Sequence, residues 1–443
     1  MKIRNTIFLV VCLFAGHALS INNSINQSFL LPAKGLDNDQ FDQFILGKSF
    51  FRIPWVESPT ATTARDGLGP LFNSNTCVNC HNKNGRGKVY DHDQVVDRSH
   101  VVRLSIPAND SEKHQQLLKM QGFIAEPTYG AQVSVNGVSG VPYEAKMEVE
   151  YTDVNINYPN GAQATLQQPN LKLTNLGYGA LHPQAIVAAR IAPALVGLGL
   201  IEQITDEQIL AHEDVDDING DGISGKANRV WSLETNKTEI GRYTWKASAP
   251  TLRHQSANAA VSDMGLTNPL HPNETCTSKQ TECLKAPKGD YFEFDLTEPR
   301  LNAITFYLSN LALPSSKKSN KKGVQLFEST GCSDCHQPSY QLSSVKSIHP
   351  YSDFLLHDMG KGLADGRQEF LASGSEWRTP PLWKTYRVSQ ILGKQKNFLH
   401  DGRARTVEEA ILWHGGEASK AKALFMNLRQ DQRAELLKFV DNL

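Results

Sequence analysis

A chain of 443 residues is too long for one ordinary domain and has ample material for buried cores. With 40% hydrophobic and 21% charged residues it reads as a soluble globular protein. The formal net charge of −1 gives no electrostatic reason to expect nucleic acid or a charged membrane surface as partner.

The chain opens Met1-Lys2-Ile3-Arg4, runs apolar from Ile7 to about Ala18, and then offers the small-x-small site Ala18-Leu19-Ser20. That predicts a secretory signal peptide over 1–20, cleaved from the mature protein, and hence a periplasmic location. Val10-Val11 precede Cys12, so the small residue a lipoprotein signal needs before its cysteine is missing. No later stretch approaches ~20 apolar residues, and no membrane span is expected. From Leu36 to Phe51, the spacing of Phe41, Phe44, Ile45 and Phe51 predicts a helix. Gly67-Leu68-Gly69-Pro70 then breaks the chain.

Next comes Leu71-Phe72-Asn73-Ser74-Asn75-Thr76-Cys77-Val78-Asn79-Cys80-His81, which returns as Leu326-Phe327-Glu328-Ser329-Thr330-Gly331-Cys332-Ser333-Asp334-Cys335-His336. Cys-x-x-Cys-His is the attachment signature of haem c: the two thiols add to the haem vinyl groups and the adjacent His binds the iron. A zinc site needs four ligands close together, yet these pairs lie hundreds of residues apart and each carries its own His. A thioredoxin-like pair belongs beside a βαβ unit, and no such pattern surrounds either motif. The motifs therefore predict two covalently bound haem c groups. Cys77, Cys80, Cys332 and Cys335 are the attachment residues, and His81 and His336 are the proximal iron ligands. With Cys12 in the signal, Cys276 and Cys283 are left over in a polar loop, where two nearby extracytoplasmic thiols more often pair than catalyse.

Between about 129 and 176, Val133, Val135 and Val138 among glycines, then Tyr143, Met147, Val149 and Tyr151 alternating with polar residues, predict a β-hairpin insertion. Residues 183–202 return to helix-and-turn character. Residues 217–228 begin like a calcium loop, with Asp217, Asn219 and Asp221 at the first, third and fifth positions and Gly222 at the sixth. The twelfth position, Asn228, lacks the usual bidentate carboxylate, so a plain Asp/Asn/Gly turn is the competing reading. Leu301, Ile304, Leu308 and Leu311 form one helical face; Leu436, Phe439, Val440 and Leu443 form another. Each haem-bearing segment thus closes with an amphipathic helix. A basic polar run, 315–322, lies between them and reads as a solvated linker. The expected fold is mainly α, with two cytochrome c-like domains, 21–313 with its β insertion and 314–443.

What stands opposite each proximal His sets the function: Met favours electron transfer, His lowers the potential, and an open face admits peroxide. Met264 and Met359 both stand in Asp-Met-Gly and are candidate sixth ligands; the bland reading of each is core packing. His182, His357 and His400, beside Gly/Pro turns or Asp, are further candidates for a haem pocket.

The C-terminal third adds Leu355-Leu356-His357-Asp358-Met359-Gly360, Trp377-Arg378-Thr379-Pro380-Pro381-Leu382-Trp383 and Leu399-His400-Asp401-Gly402-Arg403-Ala404-Arg405-Thr406-Val407-Glu408-Glu409-Ala410. This resembles the bacterial di-haem cytochrome c peroxidase and MauG superfamily. With Gly67-Leu68-Gly69-Pro70-Leu71-Phe72, Trp245-Lys246-Ala247 and Trp413-His414-Gly415-Gly416-Glu417-Ala418, it is most similar to the di-haem oxidoreductase branch, some of which is labelled thiol oxidoreductase. The resemblance implies an electron-transfer and peroxidase-like oxidoreductase that works with a redox donor or acceptor protein, such as a small cytochrome, on peroxide or another small oxidisable substrate. It also brings two departures. The peroxidase Met before the Thr-Pro-x-Leu segment is absent here, leaving Ser375-Glu376-Trp377. The peroxidase catalytic Glu belongs near the N-terminal haem, whereas Glu409 follows the C-terminal motif. Glu409 is the candidate catalytic acid/base, against the plainer reading of a carboxylate at a helix N-terminus. The alternative function is a pure electron relay with two six-coordinate haems and no catalysis; an assembly module serving a partner protein is a third.

Overall fold

In the computed structural model the described residues are 28–90, 95–289, 292–314, 320–345, 347–385 and 396–443. The predicted signal peptide (1–20) and positions 315–319 of the predicted linker lie outside them.

The helices that frame the two Cys-x-x-Cys-His motifs come in pairs. Helix α1 (Asn38–Arg52) begins at a capping box in which Asp37 and Gln40 each satisfy the other's backbone N–H. Helix α2 (Cys77–Cys80) carries the first motif, and α3 (Leu252–Met264) and α4 (Glu298–Ser309) follow. Helix α5 (Lys321–Ser329) leads into the second motif. The chain ends on α6 (Val407–Trp413), α7 (Ser419–Asn427) and α8 (Gln430–Asp441).

Helix α1 lies on α4, and α5 lies on α8. At each crossing a glycine lets the helices approach. A Cβ at Gly47 would overlap the Ala303 carbonyl oxygen and come within 2.8 Å of Tyr307 Cβ; one at Gly323 would stand 2.5 Å from Phe439 Cβ. Four residues on from each glycine an aromatic ring packs under the motif. Phe51 lies 5.4 Å from Tyr307 and 6.4 Å from the His81 ring. Phe327 lies 5.5 Å from Phe439 and 6.3 Å from the His336 ring. Burying each such ring contributes about 1.5–3 kcal/mol, and each aromatic pair about 0.5–1.5 kcal/mol more. The two predicted amphipathic faces, Leu301 to Leu311 and Leu436 to Leu443, are buried in these crossings. In α1 the apolar stripe is rotated from the predicted one. Phe44, Gly47 and Phe51 face inward, whereas Phe41 and Ile45 are each 43% exposed, because the Gly47 approach fixes which side meets α4.

The expectation of a mainly α fold does not hold: the described residues are 30% helical and 19% strand. The strands make short antiparallel ribbons. They are β1 (Leu71–Phe72) with β3 (Asn136–Gly137), β2 (His100–Ser105) with β6 (Ile186–Ile191), β4 (Lys146–Asn157) with β5 (Gln163–Thr174), β7 (Arg229–Ser232) with β8 (Lys237–Ile240), and β9 (Leu356–Asp358) with β10 (Glu376–Arg378). The β4–β5 hairpin falls within 129–176, with Lys146 opposite Thr174 and Asn157 opposite Gln163. Strand β6 falls in the stretch read as helix and turn. Ile186, Val187 and Ile191 are β-branched and find a distant partner edge in β2, from Ser105 opposite Ile186 to His100 opposite Ile191, a pairing that local periodicity does not carry.

Two main apolar clusters result, one beneath each motif. Both draw on residues from before and after 314. The first takes in Tyr340, Phe354 and Trp383, and the second takes in Val89, Leu166, Ile191 and Trp245. No helix is long and apolar enough to cross a membrane among the described residues.

Candidate haem sites

Cys77, Cys80, Cys332 and Cys335 are all free thiols, whereas Cys276 and Cys283 form a disulfide. Burial, with Asp263 nearby, pushes the Cys77 thiol up to about 12, and burial likewise raises Cys332 and Cys335. That is the reverse of a thioredoxin-type pair, whose attacking thiol is stabilised as thiolate.

Each motif His is tethered in the same way. His81 Nδ1 lies 2.9 Å from the Pro193 carbonyl oxygen, and His336 Nδ1 lies 2.9 Å from that of Tyr351. A carbonyl accepts only, so Nδ1 must carry the proton and Nε2 presents a lone pair, the form a metal-ligating imidazole takes. Burial lowers both groups, His336 to about 4, so both rings are neutral near pH 7. The first motif is pinned to the end of α1 by Thr76 Oγ1, which donates to the Phe51 carbonyl at 2.9 Å; the second is pinned to α5 by Thr330 Oγ1 on the Leu326 carbonyl at 2.7 Å. These tautomers and free thiol pairs fit a covalently attached haem at each motif.

The repeat in sequence and the repeat in space are not the same. Leu71-Phe72 is β1, whereas the matching Leu326-Phe327 lies in α5. Gly69 touches Gly265 backbone to backbone and Pro70 bars a helix, so the first motif takes its packing ring from Phe51 instead.

Of the candidate sixth ligands, Met264 ends α3 with its Sδ 4.0 Å from Cys77 Sγ, so the fold brings it to the first motif. Met359 packs against the second apolar cluster, its N–H bonded to the Ser375 carbonyl at 3.0 Å. His357 has both ring nitrogens engaged, Nε2 on Asp353 at 2.8 Å and Nδ1 on Glu417 at 2.7 Å. Burial opposes protonation there, but Asp353 and Glu417 override it and hold the ring charged. Cys335 Sγ lies 3.7 Å from His357 Nδ1, and one ligand atom from each of Cys335, Asp353 and His357 falls within 4.8 Å of the others. His400 is stacked on Trp377 at 3.7 Å between ring centres and is pushed down to about 3 by burial. His182 sits at a turn, its N–H bonded to Glu126 and its Nδ1 accepting from Gln184 N–H.

Glu409 is occupied: its carboxylate accepts from Arg405 N–H at 2.8 Å and Arg405 Nε at 2.8 Å, while Thr406 caps α6. In the 217–228 loop, Asp217, Asn219 and Asp221 accept from the N–H groups of Gly222, Asp221 and Ile223, so these side chains close the loop on itself.

The second apolar cluster holds two tryptophans that sequence reading left without a role. Arg86, five residues past His81, donates to the Asn397 and Leu399 carbonyls, with its guanidinium 5.3 Å from the Trp245 ring centre. Trp377 is faced by His400 and by Lys246 at 4.2 Å and Arg190 at 4.6 Å. The motifs Trp-Lys-Ala and Trp-Arg-Thr-Pro that carry them were visible, but nothing in their spacing puts them together.

A family model described as "Di-haem oxidoreductase, putative peroxidase" matches residues 15–443. The chain belongs to the di-haem oxidoreductase family. A search of curated proteins finds no match. One solved structure, "Kuenenia stuttgartiensis Hydrazine Synthase Pressurized with 20 bar Xenon", is similar at 11% identity and a TM-score of 0.36 over 95% of this chain and 92% of that one. As a di-haem oxidoreductase the chain has haem as its cofactor, and the two Cys-x-x-Cys-His units are the places in it built alike.

Proposed function

We propose that this di-haem oxidoreductase carries one haem c on each Cys-x-x-Cys-His motif and works in the periplasm as a peroxidase-type enzyme. Electrons come from a redox partner protein, such as a small cytochrome, and go to peroxide; the alternative substrate is a small oxidisable molecule. The observation that carries the reading is the matched pair of units. In each, a free thiol pair and a His whose Nδ1 is tethered to a backbone carbonyl sit against an aromatic ring at a glycine-mediated helix crossing.

Haem iron, when bound, would supply the one-electron chemistry. The chain's own part is to hold and tune it. Cys77 with Cys80, and Cys332 with Cys335, would fix the porphyrin edges. His81 and His336 would bind iron through Nε2, with the Pro193 and Tyr351 carbonyls setting ring orientation and raising basicity. Met264, beside Cys77, is the side chain best placed to reach the first iron. That same contact favours the relay reading, in which both irons are six-coordinate and nothing turns over.

Intact mass and pyridine haemochrome of protein matured in a haem c-competent host give two haems per chain. The paired variants Cys77→Ala/Cys80→Ala and Cys332→Ala/Cys335→Ala each remove one. Peroxide consumption with a reduced cytochrome donor separates enzyme from relay. A mature mass equal to the bare polypeptide overturns the haem c reading.

A further inference from the structure

One imidazole outside the motifs is tethered as the two proximal ones are. His414, at the end of α6, has Nδ1 2.6 Å from the Ala410 carbonyl oxygen, and its Nε2 makes no hydrogen bond among the described residues. Its place is fixed from the second motif outward. Cys335 Sγ meets His357 Nδ1, and His357 Nδ1 meets Glu417 Oε2, three residues beyond His414. Glu417 also accepts from the N–H groups of Asp358 at 2.9 Å and Ser224 at 3.1 Å. Between His414 and Glu417, Gly415 and Gly416 lie directly on the backbone of Asp358 to Gly360: a Cβ on Gly416 would overlap the Asp358 carbonyl oxygen, and one on Gly360 would stand 2.7 Å from Gly416 N. Larger residues would push the segment away. His414 lies within electrostatic range of His336. Its ring also lines a 190 Å³ cavity with Trp413, Lys422 and Gly360 to Gly362.

Building on the haem c reading of Cys332, Cys335 and His336, we propose that His414 binds the second iron through Nε2 as its sixth ligand, opposite His336. The other candidates for that position are spent or softer. Both nitrogens of His357 are taken, His400 packs face to face with Trp377 with Asp401 3.7 Å from its Nε2, and Met359 is a flexible apolar side chain at the edge of the second cluster. Two imidazoles hold the second haem low-spin and at a lower potential than a His/Met pair would. With His336 and His414 both committed to it, the second motif would serve electron relay, and peroxide turnover would require the first iron to be without Met264.

The test uses ferric holoprotein, electron paramagnetic resonance and near-infrared magnetic circular dichroism. Wild type gives a bis-imidazole low-spin signal for one haem of the two. His414→Ala loses that signal to a high-spin one, free imidazole restores it, and His414→Met converts it to a His/Met signature with a raised midpoint potential. Met359→Leu leaves it in place. A wild type without a bis-imidazole haem, a His414→Ala protein that keeps one, or loss of the signal in Met359→Leu overturns the proposal. Should His414→Ala fail to accumulate, the wild-type spectrum and His414→Met decide. Fewer than two haems by haemochrome sinks the underlying haem reading instead; two haems with an indifferent His414 sinks this ligand alone.

Discussion

Gly47→Ala pits two effects of opposite sign on one atom. Alanine in a helix interior favours α1 by about 1 kcal/mol over glycine. The same methyl would overlap the Ala303 carbonyl oxygen and crowd Tyr307 Cβ at 2.8 Å, and neither atom can rotate aside because both belong to the frame of α4. Forcing a methylene into a filled core costs roughly 1–3 kcal/mol, and backbone in the way puts this site at or above the upper end. The expected net loss is about 2 kcal/mol, or roughly 4–8 °C for a unit of 150–250 residues. Gly323→Ala meets Phe439 Cβ at 2.5 Å, equally fixed by its helix but with no backbone oxygen in the way, and loses about 1 kcal/mol by the same arithmetic. Guanidinium unfolding followed by far-ultraviolet circular dichroism and Soret absorbance measures both. Asp42→Ala, on the exposed face of α1, is the control and stays within about 0.5 kcal/mol of wild type. An unchanged or raised midpoint for Gly47→Ala would refute the idea that these crossings are set by glycine contact.

Glu144 is buried with its carboxylate on Ser134 N–H and Gln280, and burial raises it to about 8. Its folded pKa stands above the unfolded one, so the stability it lends is present at low pH and lost as pH rises through about 8. Glu144→Gln therefore shows a shallower fall in unfolding midpoint between about pH 5 and pH 9; an identical slope refutes the assignment. The Cys276–Cys283 disulfide closes a loop of sequence separation 7, for which chain entropy gives about 2.5 kcal/mol. Replacing both cysteines by Ser should lower stability by about that amount while the haemochrome count stays at two, and a lost haem would mean the loop acts on the first site. Trp377→Leu removes the ring between His400 and the Lys246 and Arg190 cations; its protein should keep both haems but unfold about 3 kcal/mol more easily, and full stability would show that the cluster packs without the ring.

The sequence by itself determined what is chemically local. Two thiols and a His in consecutive register can be read off the chain because attachment to one porphyrin demands that spacing, and the closing amphipathic faces at Leu301–Leu311 and Leu436–Leu443 are legible because helical burial has a short period. The hairpin within 129–176 showed itself by alternation. Tertiary structure decided what depends on contact between distant segments. Phe51, not Phe72, serves the first motif as Phe327 serves the second, because Gly69 on Gly265 and Pro70 hold Leu71-Phe72 in a strand. The ribbons that keep the chain from being mainly α pair edges as far apart as His100 and Ile191. His357 looks like a free ligand in one dimension, but Asp353 and Glu417 occupy both its nitrogens, whereas among the described residues His414 has only Nδ1 engaged. A residue type states what an atom can do; only its neighbours in the folded chain leave that atom available.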